Sequence, residues 1–329
     1  GKAVSCYTPC MGGIAEAVMK MSFGNGFGFS YDPSMCVQAI FDSCYGAFII
    51  EVIDDTQGDY DVGKVTDDGA LSMCGETLSC DELLGTYEDK LESVYSCNIA
   101  DSHGEMKNFE YKASSYPSPA VKHAKPKVLI PAFPGTNCEY DSAKAVRDAG
   151  ADPEIMVINN LTSEGIQRSV DSFARKLKDS QMIFIPGGFS GGDEPDGSGK
   201  FITAFFRNAA IKDGVSDLLD NRDGLMCGIC NGFQALIKLG LVPYGKIIDT
   251  DENCPTLTFN TIARHQSKIV RTRIASNKSP WLALTEVGDV YSVPISHGEG
   301  RFIADNELIK QLAENGQIAT QYVDLAGNA

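Results

Sequence analysis

The sequence lacks two features that mark membrane-bound or exported chains. Its 329 residues contain no apolar run of 18 or more, so no membrane-spanning helix is predicted. The first residues, Gly1-Lys2-Ala3, are not followed by the apolar core of a signal peptide. They also lack an initiating Met, which predicts a processed chain or a piece of a longer one. We therefore expect a cytoplasmic protein with no membrane partner.

Basic residues are scarce as well: 28 Lys and Arg stand against 44 Asp and Glu, a net charge of −16. Residues 1–120 contain six Lys, no Arg and 19 acidic residues, a net of 6 − 19 = −13, which leaves −3 for residues 121–329. Such a surface excludes a general nucleic-acid partner, which needs a basic footprint. The abrupt change in charge, near a Pro- and Ser-rich stretch, predicts two domains. Their predicted bounds are 1–115 and 125–329, with a linker over 116–124.

Eleven cysteines lie at irregular spacing, and a chain of this length does not need disulfide bonds to fold. We expect reduced thiols, many of them buried. No metal site is predicted either. Residues 54–68 hold six Asp but lack the alternating ligands, the Gly and the closing Glu of a calcium loop. A solvated acidic loop is the expected structure there.

Apolar, β-branched segments alternate with helical ones throughout the second segment. Strands are predicted at 128–133, 154–158, 182–185 and 224–229, and helices at 139–149, 163–178, 199–219 and 231–239. The alternation predicts an α/β fold: a doubly wound, mostly parallel sheet with flanking helices. A smaller α+β segment precedes it, with a buried strand near 47–52. Chemistry in such sheets lies at the carboxyl ends of the strands, here just after residues 133, 185 and 229.

The strongest signal follows the last of these strands. Gly228-Ile229-Cys230-Asn231-Gly232 has the form of a nucleophile elbow, with Cys in place of the usual Ser. The turn is so tight that side chains two residues before and after the nucleophile would collide, which explains Gly at both positions. The helix N-terminus then points at the sulfur, where its dipole favours a thiolate or an oxyanion. A structural Gly-Cys-Gly turn is the alternative.

Cys227 and Cys230 also form a C-x-x-C, which suggests a redox dithiol as a further alternative. We disfavour it because Cys227 falls inside the predicted strand, with its sulfur directed to the core. A thiol nucleophile needs a base and a group that orients the base. Among four histidines, His297 follows a mostly apolar stretch and lies two residues before Glu299. On an extended segment the two side chains project to the same side, so Glu299 is predicted to orient the imidazole.

A glycine-rich loop follows another predicted strand: Pro186-Gly187-Gly188-Phe189-Ser190-Gly191-Gly192-Asp193. Its backbone N–H groups are suited to approach a small polar substrate or a developing oxyanion. A phosphate site is disfavoured because the Lys-Ser/Thr ending of a Walker loop is missing. An ordinary turn remains the alternative.

In combination, the motifs of residues 127–302 resemble the class I (triad) glutamine amidotransferases, and more narrowly the glutaminase of the phosphoribosylformylglycinamidine synthase family in its long, single-chain form. The matching pieces are Phe133-Pro134-Gly135-Thr136-Asn137-Cys138, Pro186-Gly187-Gly188-Phe189-Ser190, Gly228-Ile229-Cys230-Asn231-Gly232-Phe233-Gln234 and His297-Gly298-Glu299-Gly300-Arg301. Residues 1–115 resemble, less sharply, the C-terminal part of the aminoimidazole-ribonucleotide-synthetase-like region of that family. The resemblance implies a flavodoxin-like fold for residues 125–329.

The resemblance also implies a mechanism. Cys230 would attack the side-chain amide of glutamine, and His297 with Glu299 would complete a catalytic triad. The backbone N–H groups of Gly188 and Asn231, beside Gly187, would hold the oxyanion. Phe189 and Gln234 would help to seat the substrate.

Cofactors and partners follow from the same resemblance. Ammonia would pass to the rest of the synthetase chain, which uses ATP and Mg²⁺; no cofactor is expected in residues 1–329. Two departures are visible: Gly191-Gly192 replaces a commoner Tyr-Gly pair, and the family's C-terminal tail is missing, which predicts a truncated domain. The alternatives are a thiol hydrolase or chaperone of the same superfamily and a non-catalytic scaffold domain.

Overall fold

The computed structural model describes residues 3–53, 58–94, 96, 106–116, 119, 121–190, 199–262 and 264–329. Two compact units divide the chain, Gly1–Ala100 and Asp101–Ala329. Residues 106–116 make their contacts within the larger unit, since the backbone N–H of Tyr111 donates to the carbonyl of Ala275 at 2.8 Å. The assignment of the first domain to a synthetase-like region, and the predicted linker over 116–124, stay predictions. Across the described ranges, no helix is long and apolar enough to cross a membrane.

The larger unit alternates strands and helices from its first strand onward. Its elements are β7 (Lys127–Ala132), α4 (Glu139–Asp148), β8 (Asp152–Val157), α5 (Ser163–Leu177), β9 (Met182–Ile185), α6 (Lys200–Phe206), α7 (Ala209–Ser216), a π-turn (Asp217–Asn221), β10 (Leu225–Gly228), α8 (Asn231–Leu239) and α9 (Leu241–Tyr244). Strands β8, β7, β9 and β10 form a parallel sheet in that order. This is the 2-1-3-4 order of a flavodoxin-like doubly wound sheet. The predicted α/β fold is confirmed.

Both faces of this sheet are covered by helices, as double winding requires. Successive residues of β7 point to opposite faces. Leu129 packs in a large core with Phe173 and Phe206 of the helices, each fully buried. Its neighbour Val128 packs on the other face, against Ala143 of α4. The nearly continuous apolar strand sequence follows from this two-sided burial.

The helix predicted over 199–219 is interrupted in the structure. It divides into α6, α7 and the π-turn because α6 ends at Phe206, with Arg207 as its C-cap, and Asn208 begins α7 as its N-cap. The Asn208 side chain accepts a hydrogen bond from the backbone N–H of Ala210 at 3.1 Å, the usual contact of an N-cap asparagine.

Antiparallel strands follow the parallel sheet. They are β11 (Thr256–Thr258), β12 (Gln266–Ile274), β13 (Val290–His297), β14 (Arg301–Ile303) and β15 (Thr320–Val323), with a 3₁₀ turn at Pro280–Leu282 and α10 at Asn306–Glu314. Strands β13, β12 and β15 form one sheet, and β11 pairs with β14. Because His297 is the last residue of β13, this sheet positions the histidine that the sequence singles out.

The smaller unit consists of short elements. They are β1 (Ala3–Tyr7), α1 (Gly13–Phe23), β2 (Gly28–Tyr31), α2 (Val37–Ile40), β3 (Ile49–Val52), β4 (Gly63–Thr66), β5 (Ala70–Met73), β6 (Glu76–Ser79) and α3 (Cys80–Asp89). Strands β4, β2, β5 and β6 form one sheet, and β1 pairs with β3.

Two sequence predictions for the smaller unit are wrong. The strand near 47–52 is present as β3, but it is not buried: Phe48 is 67% exposed and Ile50 is 52% exposed. The acidic stretch 54–68 is not all loop, because β4 pairs with β2 inside it. Residues 54–57 lie outside the described ranges.

Candidate active site

Cys230 occupies the sharp turn between β10 and α8. Its backbone has φ 49° and ψ −107°, a region that residues with a side chain rarely adopt. The turn is closed by hydrogen bonds from the Ile229 N–H to the Ile185 carbonyl at 3.0 Å and from the Gly232 N–H to the Ile229 carbonyl at 2.9 Å. Strained nucleophiles of this kind stand at the carboxyl end of a strand, with the N-terminus of the next helix beneath them.

The glycines on either side of the nucleophile are required by close backbone contacts. A Cβ at Gly228 would lie 2.6 Å from the carbonyl carbon of Gly232. A Cβ at Gly232 would lie 2.2 Å from the carbonyl oxygen of Ile185. Both distances are well inside van der Waals contact, so the collision that the sequence pattern predicts is present in the structure.

The environment of Cys227 does not favour a redox role. Burial raises the pKa of its thiol to about 11, so the thiolate that disulfide exchange needs is scarce at neutral pH. Cys230, by contrast, is the N-cap residue of α8. The two sulfurs of the C-x-x-C therefore occupy unlike environments, and a dithiol function is not supported.

The glycine-rich loop lies directly beside the nucleophile. A Cβ at Gly187 would lie 3.3 Å from the Cβ of Cys230. Gly188 has φ 138°, and a Cβ there would lie 2.4 Å from the carbonyl oxygen of Gly135. The backbone N–H of Phe189 donates to the same carbonyl at 2.8 Å. The loops after β7 and β9 are thus held together next to Cys230, while residues 191–193 lie outside the described ranges.

The end of β13 reaches the sulfur. The Cys230 thiol donates to the carbonyl oxygen of Ser296 at 3.5 Å, and His297 is the next residue. Burial of the imidazole, together with the nearby His265, lowers the pKa of His297 below the ordinary value of 6.5. The neutral ring, which can accept a proton, is therefore the dominant form at pH 7.

The contact at the imidazole differs from the one predicted. His297 Nδ1 lies 3.0 Å from the Oδ1 of Asn260, an amide that the sequence reasoning missed. Glu299, predicted to fill that role, is 7% exposed, and its backbone carbonyl accepts from Gln234 Nε2 at 2.9 Å. The Nε2 of His297 is buried and has no hydrogen-bond partner within the described residues. No spacing in the sequence points to Asn260, which lies 37 residues before His297.

Asn231 and Gln234 form a buried hydrogen-bond chain rather than an open binding surface. Asn231 Oδ1 accepts from the Ser190 N–H at 3.2 Å, and its Nδ2 donates to Gln234 Oε1 at 3.1 Å. Gln234 Nε2 continues the chain to the Glu299 carbonyl. The side chain of Gln234, predicted to contact substrate, thus links the glycine loop, α8 and the loop after β13.

Phe189 is the predicted substrate-contact residue that is open to solvent. Its ring is 50% exposed and lies 6.3 Å, between centroids, from the ring of His265. His265 Nε2 in turn lies 2.8 Å from Ser296 Oγ. His265 therefore contacts Ser296, the residue of β13 that Cys230 also contacts, and Phe189 lies next to His265. The sequence reasoning did not assign a role to His265; since the chain has only four histidines, it could have been considered as a second site residue.

A cavity of about 320 Å³ opens beside His297. His297, Asn260 and Gly300 line it, together with the side chains of Lys268 and Arg301. Within the described residues, no group of three or more His, Cys, Asp and Glu side chains is arranged to hold a metal ion.

Comparison with known proteins agrees with this geometry. Residues 125–329 match the family model of the CobB/CobQ-like glutamine amidotransferase domain. The phosphoribosylformylglycinamidine synthase subunit PurQ of Methanococcus maripaludis strain S2 is 37% identical over 203 residues, which cover 62% of this chain and 69% of that protein. The subunit of the same name from Treponema denticola is 36% identical over 207 residues, covering 60% of this chain and 72% of that protein.

A solved structure described as PurLQS from Thermotoga maritima matches 61% of this chain and 76% of its own, with 25% identity and a TM-score of 0.43. The family match covers well over half of the chain and begins at residue 125, just before β7. The residues that it covers include the cysteine elbow, the glycine loop and the strand that ends at His297. The chain belongs to the family of CobB/CobQ-like glutamine amidotransferase domains.

Proposed function

We propose that this chain is the glutaminase part of a phosphoribosylformylglycinamidine synthase, which hydrolyses glutamine and supplies ammonia for de novo purine synthesis. The observation that supports it most is the position of Cys230: a strained elbow at the N-terminus of α8, with its sulfur 3.5 Å from the carbonyl next to His297. The relatives named as PurQ subunits specify which glutamine amidotransferase this is.

In the first half of the reaction, the Cys230 thiol transfers its proton to His297, and the sulfur attacks the side-chain amide carbon of glutamine. The negative charge that develops on the amide oxygen is held by the backbone N–H groups of Gly188 and Asn231. The dipole of α8 favours the same charge. Gly187 leaves the room that this oxygen needs, because any side chain there would approach Cys230.

In the second half, His297 gives its proton to the departing ammonia, and a γ-glutamyl thioester remains on Cys230. His297 then removes a proton from water, which attacks the thioester and releases glutamate and the free thiol. The low pKa of His297 suits this role, since the ring must start neutral. We propose that buried Glu299 stabilises the imidazolium by its charge, while the described hydrogen bond runs from His297 Nδ1–H to the accepting Oδ1 of Asn260.

The partner that receives the ammonia is the synthetase, whose reaction uses ATP and Mg²⁺. No step of the glutaminase reaction is assigned to either group. We further propose a cytoplasmic location, the compartment that keeps thiols reduced. The cysteines of the described ranges are free thiols, which is consistent with it.

Trapping with a diazo-ketone analogue of glutamine tests the proposal. We expect selective alkylation of Cys230, located by peptide mapping and blocked by excess glutamine. Cys227 is an internal control, because its raised pKa protects it from alkylation. Cys138 is a second control, because it is exposed and its sulfur lies 4.0 Å from the position of a Cβ at Gly187. Alkylation of Cys138 would show that the reagent reacts with any accessible thiol near the glycine loop.

Glutamate release from glutamine, measured in parallel, should disappear in Cys230→Ala. Alkylation spread over several thiols, without protection by glutamine, would contradict the proposed function. Hydrolysis of esters or peptides but not glutamine would indicate the thiol hydrolase alternative. An inert Cys230 in a folded chain would indicate a scaffold domain.

A further inference from the structure

We propose that Asn260 is a positioning residue: it fixes His297 as the Nδ1–H tautomer and so leaves the lone pair of Nε2 as the base. The meaning of this tautomer for catalysis rests on the proposed function. The tautomer itself can be measured without any turnover.

The orientation of the Asn260 amide is determined by its donors. Nδ2 donates to the carbonyl of His297 at 2.8 Å and to the carbonyl of Arg264 at 3.0 Å. A flipped amide would direct its oxygen at these two carbonyl oxygens, which is repulsive. It would also direct its NH₂ group at the backbone N–H of Gly300, which now donates to Oδ1 at 3.1 Å. One orientation therefore satisfies every contact, and it directs Oδ1 towards the imidazole.

That orientation determines which ring nitrogen carries the proton. Oδ1 has no hydrogen to give, so the 3.0 Å contact with His297 Nδ1 is a hydrogen bond only if Nδ1 is the donor. At a pH where the ring is neutral, Nε2 is then unprotonated. Nε2 is the atom that has no hydrogen-bond partner among the described residues. The remaining proton acceptor of the ring is thus kept for the reaction.

The ring has little freedom to leave this arrangement. Gly300 provides the space for it: a Cβ at that position would lie 2.2 Å from Cε1 of His297. The backbone N–H of Asn260 also donates to the Gly298 carbonyl at 2.9 Å. Asn260, 8% exposed, therefore joins the segment after β11 to the loop that follows β13, and it holds both the ring and the backbone of His297.

The test is a measurement of the His297 tautomer by long-range ¹H–¹⁵N correlation NMR on the full chain with ¹⁵N-labelled histidine, at a pH where the ring is neutral. We expect the Nδ1–H form in the wild type. In Asn260→Ala the acceptor is lost, and the Nε2–H form, which free histidine favours in water, should gain population. Asn260→Leu also removes the acceptor but keeps most of the side-chain volume, so the Nε2–H form should gain population there too, which preserves the test if the alanine variant fails to fold.

Asn277→Ala is the matched control. Its amide is also buried and bonds to backbone groups, accepting from the Ala113 N–H at 3.0 Å and donating to the Thr285 carbonyl at 3.2 Å, and no hydrogen bond among the described residues joins it to a histidine. We expect the His297 tautomer to be unchanged in it. The glutaminase kcat should fall by roughly 100-fold in Asn260→Ala, with KM nearly unchanged, because the base is in the wrong form.

An Nε2–H tautomer in the wild type would overturn the inference. An unchanged tautomer in a folded Asn260→Ala chain would do the same. Failure of the wild type to hydrolyse glutamine, with the tautomers as expected, would overturn the proposed function and leave the role of Asn260 supported.

Discussion

Two effects lower the pKa of His297. Burial disfavours the charged ring, and the nearby His265 adds a repulsive charge when it is protonated. Both effects lower the pKa of His297, so the ring that we propose as the base remains neutral further into the acid range than an ordinary histidine. The acidic limb of a pH–activity profile should report this pKa.

Replacing His265 separates these two causes. In His265→Ala the repulsive charge is removed, so protonation of His297 becomes easier and its pKa rises. The acidic limb of glutaminase activity should then move to higher pH. NMR titration of the His297 ring checks the same shift without depending on substrate binding, which matters because His265 lies beside Phe189.

His123→Ala is the control for this titration, since His123 is an exposed histidine of the same unit. It should leave the pKa of His297 unchanged. A pKa of His297 that stays the same or falls in His265→Ala would show that burial alone sets it.

At the scale of elements, the site depends on the hydrogen bonds that connect α8 to the loops around it. The Asn231–Gln234 chain of hydrogen bonds runs from the glycine loop, through the first turn of α8, to the loop after β13. All of its groups are buried, where an unpaired polar group is costly. Side-chain amides therefore link the three elements to which the proposed oxyanion site, nucleophile and base belong.

Gln234→Leu tests this link. The substitution is close in shape, but it removes two buried hydrogen bonds, the one from Asn231 Nδ2 to Gln234 Oε1 and the one from Gln234 Nε2 to the Glu299 carbonyl. We expect a loss of about 2 kcal/mol in the free energy of unfolding, measured by urea denaturation. Gln317→Leu is the control: its Nε2 donates to the Pro243 carbonyl at 2.8 Å, but the residue is exposed and water can replace it. Equal losses in the two variants would contradict a special role for the buried chain.

Elements also show what the sequence could predict. The parallel sheet was predictable because strands that are buried on both faces need long apolar runs. The elbow was predictable because only glycine fits at positions 228 and 232, two residues before and after Cys230. The role of Asn260 was not predictable from the sequence, because its contact with His297 depends on how the fold brings the segment after β11 close to the end of β13. The spacing of two residues suggested Glu299 instead. In the smaller unit, the apolar sequence of β3 indicated a buried strand, but among the described strands it pairs only with β1, and it is half-buried with Ile50 exposed.

For the whole molecule, the two compact units carry very different charge. Residues 1–100 hold 4 basic and 16 acidic side chains, a net of 4 − 16 = −12. Residues 101–329 hold the other 24 basic and 28 acidic side chains, a net of −4. A high charge on a small unit destabilises its folded state by self-repulsion, which salt screens.

Calorimetry in low and high sodium chloride should therefore resolve two unfolding transitions. We expect the transition of the smaller unit to move to higher temperature with salt, and that of the larger unit to move little. Alkylation of Cys230 by the glutamine analogue assigns the second transition, because the adduct can stabilise the larger unit. A single transition that responds to both treatments would show that the units unfold as one.

The strained backbone at Cys230 lowers the stability of the folded chain. At φ 49° and ψ −107°, glycine is the residue without a steric penalty. Cys230→Gly should therefore be more stable than the equally thiol-free Cys230→Ser, by about 1 kcal/mol, as thermal unfolding can measure. A domain that served only as a scaffold would gain stability from that glycine and lose nothing. With Cys230 the chain is instead less stable than it would be with glycine, which is the trade-off expected if the sulfur performs the proposed attack on glutamine.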